Sequence, residues 1–354
     1  MGRSAGDVRE PGHDLLAAAQ GGDEGAFETL VRPYRNELHA HCYRMLGSVH
    51  DAEDVMQEVL LRAWRGLARF EGRSSLRSWL YRIATNACLN AVRSGSRRIL
   101  PVGSMAAPGE EPGGIQGVQG QPVGESVWIE PYPDTMVAMA HDVRGPEARY
   151  EQRESLELAF VAALQYLPAN QRAALLLRDV LGFSARDAAD ALATTTAAVN
   201  SALQHARANV EARVPDKSQQ TTLRALGDER LRELVERYMA ALEAADVEAM
   251  LDMLTEDATW CMPPLSEWYQ GHAAIADFLR AGPLTVRWRH VPTQANGQAA
   301  VGCYVWDDAT GTYGGHVLDV LTVEGERIAA VTAFIDRDVF TRFGLPTELP
   351  ALSA

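Results

Sequence analysis

The spacing of apolar residues predicts helices along the first two thirds of the chain. Four apolar side chains recur at the i, i+4, i+7, i+11 spacing of one buried helical face, at Met56, Leu60, Ala63 and Leu67. The same spacing returns between residues 199 and 210. Shorter apolar repeats predict two helices within residues 15–38, separated by Gly21-Gly22-Asp23, because adjacent glycines disfavour a continuous helix.

A different pattern begins near Leu223, where helical and strand-like segments are mixed. An amphipathic helix is predicted from Leu231 to Leu242, and GHAAIADFLR predicts a shorter one. Beyond Pro283 the apolar residues follow strand patterns in TVRWRHV, AAVGCYVW, GGHVLDVLTVEG and RIAAVTAFID. Helices followed by an antiparallel sheet predict an α+β fold, with one curved sheet around helices.

The segment between the two helical parts has its own composition. Residues 103–147 hold seven acids against one base, with many Gly and Pro, so we predict an acidic, extended linker. The motif WIEPYPD, residues 128–134, interrupts this linker with aromatic and proline residues. We expect it to dock on a neighbouring domain or in a groove of a partner protein, and local collapse is the alternative.

These patterns divide the chain of 354 residues into seven segments. They are a disordered lead (1–12), a helical domain (13–99), the acidic linker (100–150), a second helical domain (151–214), a short linker (215–224), the α+β domain (225–342) and a tail (343–354). The tail cannot continue as a helix past Leu345, because Pro346 follows, and we expect it to dock on the rest of the protein.

Composition narrows the class of protein. The chain is 47% hydrophobic, as packed domains are, and its net charge of −14 opposes indiscriminate binding to DNA. No apolar run is long enough to cross a membrane, and the N-terminal residues lack the apolar core of a signal peptide, so we expect a cytoplasmic protein without membrane contact. The four cysteines are scattered without a CxxC pair, which fits a reducing compartment.

One short cluster could suggest a metal site, because His39, His41 and Cys42 are close in sequence. Residues two positions apart on a helix do not share a face, and no fourth ligand lies near them in the sequence. We therefore predict that the protein has no metal site and no cofactor.

Residues 51–98 combine two stretches of opposite charge. Residues 51–58 carry four acids and no base, whereas residues 62–98 carry nine arginines against one acid, Glu71. The acids alone fit a solvated helix N-terminus, where the helix dipole favours them. The second stretch mixes Arg with aromatic residues, which suits unpaired nucleic acid, because rings stack on bases and Arg neutralises phosphate. The alternative for Trp79 is a place in the core.

In DAEDVMQEVLLRAWR followed by FEGRSSLRSWLYRIATNACLNAVR, the chain resembles region 2 of the extracytoplasmic-function (ECF) sigma factors of the sigma-70 family. The resemblance covers most of residues 13–99. It implies an acidic helix that docks on the clamp coiled coil of core RNA polymerase through Asp51, Asp54, Gln57 and Glu58. It also implies a set of residues that melt and read the minus-ten promoter element: Glu71, Arg73, Ser74, Arg77, Trp79, Arg82 and Asn86.

Two short helices joined by a tight turn, between residues 183 and 213, suggest a helix-turn-helix. The segment LQYLPANQRAALLLRDVLGFSARDAADALATTTAAVNSALQHARANV resembles region 4 of the same family, which reads the minus-thirty-five element and binds the polymerase flap. The implied DNA-binding residues are Arg186, Thr195, Thr196, Asn200, Ser201, Gln204 and Arg207. Two features depart from the family. The recognition helix has few basic residues, and Ala193 stands where Gly is common, at a cost of about 1 kcal/mol if its backbone is left-handed.

Residues 225–342 resemble the SnoaL-like cone-shaped fold in element order and in the segments EDATW and YQGHAAIADFL. The residues of a possible pocket are Trp260, Tyr269, His272, Trp306 and Asp319. His316 and Asp319 are an odd number of positions apart on one predicted strand, so they face opposite sides unless a bulge intervenes. A His–Asp pair in such a cone could perform acid–base chemistry, but the same shape serves as a ligand-binding or docking module.

The order of the two helical domains favours a sigma factor that is not an enzyme. Such a protein binds core RNA polymerase and promoter DNA, and we expect its SnoaL-like domain to contact the sigma domains and to regulate them in cis. The alternative is a one-component helix-turn-helix regulator with a ligand-binding C-terminal domain, which leaves residues 51–98 without a role. An enzyme with an accessory helical domain accounts only for the last third. Use of a separate anti-sigma factor stays open.

Overall fold

A computed structural model describes residues 11–94, 98–100, 128–138 and 153–351. Residues 1–10 of the predicted disordered lead, and residues 101–127 and 139–150 of the predicted acidic linker, lie outside the described residues, whereas Pro11 and Gly12 of the lead belong to a helix. The first helical unit consists of α1 (Pro11–Gln20), α2 (Glu24–Val31), a 3-10 turn (Arg32–Tyr34), α3 (Arg35–Leu46), α4 (Val49–Leu67) and α5 (Leu76–Ser94).

Short polar residues set the ends of these helices. The carboxylate of Asp23 caps α2 by accepting a hydrogen bond from Ala26 N (2.9 Å). The hydroxyl of Ser48 caps α4 by accepting one from Asp51 N (3.0 Å). Gly47 ends α3 with φ of 73°, a conformation that favours glycine. The predicted break at Gly21-Gly22-Asp23 is therefore confirmed.

The second helical unit carries the helix-turn-helix. The linker contributes α6 (Asp134–Ala138), which packs on α3. The helices of the second unit are α7 (Leu158–Gln165), α8 (Ala169–Leu175) with a π-helical continuation (Leu176–Val180), α9 (Ala185–Ala191) and α10 (Thr196–Glu211). Ala193, in the turn between α9 and α10, has φ of 50°. The buried face of α10 is the predicted one, formed by Val199, Leu203, Ala206 and Val210.

The C-terminal part is an α+β domain, as predicted. Its helices are α11 (Gln219–Leu226), α12 (Asp228–Glu243), α13 (Val247–Met253) and α14 (Gly271–Ala281), and a short 3-10 turn (Pro283–Thr285) follows α14. Its strands are β1 (Leu254–Cys261), β2 (Trp268–Gln270), β3 (Trp288–Ala295), β4 (Gln298–Asp307), β5 (Thr312–Glu324) and β6 (Arg327–Phe334). The sheet order is β2-β1-β6-β5-β4-β3, with β1 and β6 parallel and the other neighbours antiparallel.

Two segments outside the predicted α+β domain belong to ordered elements. Residues 215–224, predicted as a linker, contain most of α11, whose first turn is capped by Ser218. The predicted α+β domain ends with α15 (Asp338–Arg342), and the tail contains β7 (Glu348–Pro350), which pairs with β5. The tail therefore docks on the sheet, as expected, and it leaves the helical conformation before Pro346.

The apolar core on the outer face of the sheet is continuous with the cores of both helical units. It contains Tyr304, Leu318 and Phe340, and the rings of Tyr304 and Phe340 lie 4.9 Å apart. Gly315 permits this packing, because a Cβ atom there would come within 2.9 Å of the Phe340 ring. A second core fills the cone between α12–α14 and the inner face of the sheet. The three units consequently fold against one another.

The motif WIEPYPD lies between the units, as the docking hypothesis predicts. Trp128, Ile129 and Tyr132 are buried. The backbone of Ile129 donates to Ile99 O, and that of Glu130 donates to Gly47 O, both at 3.0 Å. Among the described residues, no helix has both the length and the apolar character that crossing a membrane requires.

Candidate functional site

The exposed acidic face of α4 consists of Asp54, Gln57 and Glu58. Leu61 lies on the same face, one turn further along, and is 55% exposed, unlike the other apolar residues of this helix. Glu58 forms an i,i+4 ion pair with Arg62, and both side chains are exposed to solvent. A helical face with acids around an exposed leucine suits a protein partner that offers basic and apolar groups.

Asp51 differs from the other predicted polymerase-binding residues, because it is engaged within the chain. Its carboxylate is 2.6 Å from the buried guanidinium of Arg98, which also donates to Trp128 O at 3.0 Å. Glu130 lies next to this pair and accepts from the backbone of Val49 at 2.9 Å and from that of His50 at 3.2 Å. The linker motif thus caps the start of α4.

The residues predicted to read the minus-ten element fall into two groups. Glu71, Arg73 and Ser74 are exposed in the loop before α5, and Arg82 and Asn86 are exposed on α5 itself. Trp79 is buried, with its ring 5.2 Å from that of Phe70. In this structure Trp79 therefore has a core position, which was the alternative to a place at the nucleic-acid surface.

The second helical unit covers part of the arginine-rich surface of the first. The Arg77 guanidinium lies over the rings of Tyr81 (4.8 Å) and Phe183 (4.9 Å) and pairs with Glu37 at 3.3 Å. Asn86 Nδ2 lies 3.4 Å from the carbonyl oxygen at the end of α9, that of Ala191. Helix α9 is packed on α5, so Arg77 and one side of Asn86 face protein rather than solvent.

The polar face of α10 is exposed, with Thr196, Asn200, Ser201 and Gln204 along it, and Arg186 is exposed on α9. Two other predicted residues of this set have local roles. Thr195 is the N-cap of α10 and accepts from Ala198 N at 3.2 Å. Arg207 donates two hydrogen bonds to the Asp179 carboxylate, at 2.8 and 2.7 Å. Asp179 therefore holds the guanidinium of Arg207 at the side of the helix.

The β3–β4 hairpin reaches into the junction of the three units with its tip, Asn296-Gly297-Gln298, which we call the hairpin tip. Asn296 and Gly297 have φ of 55° and 71°, the pattern of a type I′ turn, for which Asn-Gly is the preferred pair. Asn296 is fully buried. Its Nδ2 donates to Tyr43 Oη (2.9 Å) and to Leu156 O (2.8 Å), and its Oδ1 accepts from Tyr132 N (2.8 Å).

The other residues of the hairpin tip extend the junction. Gly297 N donates to the Asp134 carboxylate at 2.8 Å, and Gln298 Oε1 accepts from Leu158 N at 3.1 Å. Asn-Gly between two strand patterns signals a hairpin, but nothing in the sequence marks Asn296 as buried. Sequence reasoning missed this site, since its partners lie 140 to 253 residues away.

A cavity of about 300 Å³ lies inside the cone. Trp260 and Asp319 line it, as predicted, whereas Tyr269, His272 and Trp306 do not. The residues that sequence reasoning did not assign to it include Phe278, Trp288, His290, Cys303, Val305 and Ile335.

Local structure explains why the other three predicted residues do not line the cavity. Cys303 and Val305 point into the cavity, so Trp306, the next residue on β4, points to the opposite side. Tyr269 stacks on the outside of Phe278 with ring centroids 4.4 Å apart. The ring of His272 is hydrogen-bonded to Thr255 O at 3.0 Å and ties the start of α14 to β1.

His316 and Asp319 both line the cavity, because a bulge intervenes. Cys303 pairs with Val317 and Tyr304 pairs with Gly315, which leaves His316 as the extra residue of β5. Asp319 is buried and its Oδ2 accepts from Tyr238 Oη at 2.8 Å and from Cys303 Sγ at 3.2 Å. Burial raises the pKa of Asp319 to about 6, against the effect of these two donors.

The two histidines of the His39-His41-Cys42 cluster have protein partners. The ring of His39 is hydrogen-bonded to Tyr132 Oη at 2.9 Å, and that of His41 to Thr85 Oγ1 at 3.0 Å. Burial lowers the pKa of His39 to about 4 and that of His41 to about 3, so both rings are neutral at pH 7. Within the described ranges, no three His, Cys, Asp or Glu side chains are grouped as a metal site requires.

Known protein families match the three units of this chain in the same order. The profile of Sigma-70 region 2 matches residues 30–98, that of Sigma-70 region 4 matches residues 157–210, and that of the SnoaL-like domain matches residues 235–331. The crystal structure of the Mycobacterium tuberculosis ECF sigma factor SigJ has the same fold, with a TM-score of 0.54 at 21% identity, over 88% of this chain and 97% of that one.

Two relatives with known functions identify the family of this chain. The ECF RNA polymerase sigma factor SigG of M. tuberculosis is 43% identical over 330 residues, which are 92% of this chain and 85% of SigG. SigM of the same species is 30% identical over 197 residues, or 56% of this chain and 81% of SigM. The chain belongs to the family of ECF RNA polymerase sigma factors and carries a C-terminal SnoaL-like domain. Its function is that of a sigma factor, and the one-component regulator is not favoured.

Proposed function

We propose that the acidic face of α4 (Asp54, Gln57 and Glu58) docks on the clamp coiled coil of core RNA polymerase. The exposure of all three side chains and of Leu61 supports this assignment. Asp51 contributes less, because Arg98 already neutralises its carboxylate. Region 4 is expected to bind the polymerase flap.

The promoter is read by two separate surfaces in this proposal. The exposed loop residues before α5, together with Arg82 and Asn86, contact the minus-ten element, and the polar face of α10 contacts the minus-thirty-five element. The low number of basic residues on that face favours hydrogen bonding to base edges over phosphate neutralisation. Arg77 becomes available to DNA only when Phe183 moves off it.

The arrangement of regions 2 and 4 in this structure is a closed state that cannot read a whole promoter. The minus-ten and minus-thirty-five elements lie about 25 base pairs apart, which is about 85 Å of straight duplex. Helix α9 is in contact with α5, and α10 follows α9 and is only 16 residues long, or about 24 Å. The two regions must therefore separate before both elements can be bound together.

We further propose that the SnoaL-like domain regulates this separation in cis. The observation that carries the proposal is the buried Asn296, whose side chain joins Tyr43 of region 2, Tyr132 of the linker and Leu156 at the start of region 4. Each of these hydrogen bonds contributes about 0.5–1.5 kcal/mol net. Together they stabilise the closed state by an amount large enough to control the population of the open state.

The test is run-off transcription by core polymerase with the full-length Asn296→Gly variant. Glycine retains the left-handed turn and removes only the side chain. We expect roughly five-fold more transcript than with the wild-type protein at limiting sigma concentration. Ala309→Gly, an exposed glycine substitution in the β4–β5 hairpin, is the matched control and leaves the transcript level unchanged.

Equal transcript levels from wild-type protein and Asn296→Gly, with matched melting temperatures, would contradict regulation through the hairpin tip. Stable binding of the protein alone to duplex promoter DNA, with no transcript in the presence of core polymerase, would favour a one-component regulator instead.

We propose that the chain has no catalytic activity and that it acts in the cytoplasm, with core polymerase. The sigma-factor relatives support both statements. Of the predicted pocket residues, His272 is hydrogen-bonded to a backbone carbonyl oxygen of β1, which supports a structural role for it. Turnover of a small molecule that is lost in Asp319→Asn would overturn the first statement.

A further inference from the structure

The cavity of the SnoaL-like domain has walls that are almost entirely apolar. Trp260, Phe278 and Trp288 supply flat ring surfaces, and Val305 and Ile335 supply aliphatic ones. Its volume of about 300 Å³ is twice that of an engineered cavity of about 150 Å³ that holds benzene. The space suits a flat molecule of about two fused rings.

One of the apolar residues that line this cavity is strongly exposed to solvent. Val286, in the segment before β3, lines the cavity and is 44% exposed. Together with Leu61 on α4, it is one of two large apolar residues that are strongly exposed among the described residues.

The few polar groups in the cavity wall lie together on one side. His290 of β3 is paired with Cys303 of β4, and Cys303 Sγ contacts Asp319 Oδ2 at 3.2 Å, so these side chains share the inner face. His316, the bulge residue, lines the same space. The polar groups therefore form one corner of an otherwise apolar cavity.

Two of these groups present unsatisfied hydrogen-bond acceptors. Asp319 is 3% exposed, and its Oδ1 has no hydrogen-bond partner among the described residues. His290 Nδ1 is 3.1 Å from a Glu243 carboxylate oxygen, which can only accept, so Nδ1 carries the proton. The other ring nitrogen of His290, Nε2, is left as a buried acceptor without a partner in the described part of the chain.

Unsatisfied buried acceptors cost free energy, about 1–3 kcal/mol each. A ligand that donates a hydrogen bond recovers this cost, whereas a ligand that only accepts does not. We propose that the cavity binds a flat, largely apolar molecule of about two fused rings, held by a hydroxyl group that donates to Asp319. Binding of this kind is independent of how the SnoaL-like domain acts on the sigma regions.

The experiment measures binding of two probes to the full-length protein at pH 8 by isothermal titration and by the change in its tryptophan fluorescence, to which Trp260 and Trp288 in the cavity wall contribute. The probe 2-naphthol has the hydroxyl donor, and 2-methoxynaphthalene has the same rings without a donor. We expect saturable binding of 2-naphthol at one site, and binding of 2-methoxynaphthalene at least about tenfold weaker, the difference of one charge-assisted hydrogen bond.

Two variants locate the site. Asp319→Asn keeps the shape of the side chain and removes the charge, so we expect about a tenfold loss of 2-naphthol affinity and little change for the ether. Val305→Phe, at a half-buried position of β4, fills the cavity and removes binding of both probes. Asp257→Asn, at an exposed position of β1, is the control and leaves both affinities unchanged.

Three results would overturn the proposal. They are no saturable binding of 2-naphthol up to its solubility limit, equal affinity for the two probes, and unchanged 2-naphthol affinity in a folded Val305→Phe variant. If Asp319→Asn does not fold, the comparison of the two probes and the Val305→Phe variant decide.

Discussion

Ala193 illustrates how a single residue can be at odds with the turn that contains it. Its φ of 50° lies in the left-handed region, where a Cβ atom costs about 1 kcal/mol relative to glycine. The sequence analysis predicted this cost for the case that the backbone of Ala193 is left-handed, and the structure shows that it is. The turn persists because α9 and α10 are both fixed by their buried faces.

The Ala193→Gly variant is therefore expected to raise the free energy of unfolding by about 0.5–1 kcal/mol. Urea denaturation followed by circular dichroism measures the change. Ala197→Gly, an exposed position within α10, is the matched control and should lower stability by a similar amount, because glycine is unfavourable inside a helix. A loss of stability in Ala193→Gly would mean that the alanine side chain makes a contact that outweighs the strain.

Asp319 gives a pH dependence with a definite sign. Its folded-state pKa of about 6 lies above the ordinary value of 3.8, so the folded protein holds a proton that the unfolded chain has released. The stability from this group is complete below about pH 4 and is lost as the pH rises to about 6, by roughly 3 kcal/mol in total.

The melting temperatures of wild-type protein and of Asp319→Asn, measured from pH 4 to pH 7, test this expectation. The wild-type protein should lose stability relative to the variant across that range, and the two curves should run parallel above it. Parallel curves throughout would show that the carboxyl group titrates at its ordinary pKa.

At the scale of elements, α4 combines a buried apolar stripe with an acidic face that is free to meet a partner. The stripe holds the helix against α3 and α5, so a charge change on the exposed face should leave the fold intact. Glu130 and Ser48 satisfy the first amides of α4, which fixes where the helix begins.

Replacing Asp54 with Arg is expected to weaken binding to core polymerase by about tenfold or more, since it reverses a charge in the middle of the docking face. Fluorescence anisotropy with labelled protein measures the affinity. Glu236→Arg, the same reversal on the exposed side of α12, is the control. Unchanged affinity in Asp54→Arg would place the polymerase contact on another face.

At the scale of the whole molecule, three units share one apolar core, and the hairpin tip occupies their junction. We propose that the contacts between α9 and α5 depend on this distant hairpin, because Asn296 is hydrogen-bonded to the linker motif and to the start of region 4. Loosening the hairpin should therefore expose α5.

Hydrogen–deuterium exchange of the full-length Asn296→Gly variant tests this coupling. We expect faster exchange for the residues of α5 that α9 covers, on the side of Arg77 and Asn86, than in the wild-type protein. The residues of α12, which pack inside the cone, should be unaffected. Unchanged exchange in α5 would show that regions 2 and 4 hold together without the hairpin tip.

More of the fold than of the candidate sites could be predicted from the sequence. The α+β class of the last domain and the break at Gly21-Gly22-Asp23 were predictable, since apolar period and turn residues are local properties. Of the predicted pocket residues, Trp260 and Asp319 lie in the cavity wall. Trp306 was assigned wrongly, because only the alternation set by its neighbours on β4 shows which way its ring points.

The sequence by itself determined the order of the three units, the acidic and arginine-rich stretches between residues 51 and 98, and the polar face of α10. Only the tertiary structure decided which of those residues are free. Arg77, Asp51 and Arg207 are engaged by Phe183, Arg98 and Asp179 respectively. The physical reason is that exposure and pairing depend on partners far away in the chain, whereas charge and periodicity are carried by each segment alone.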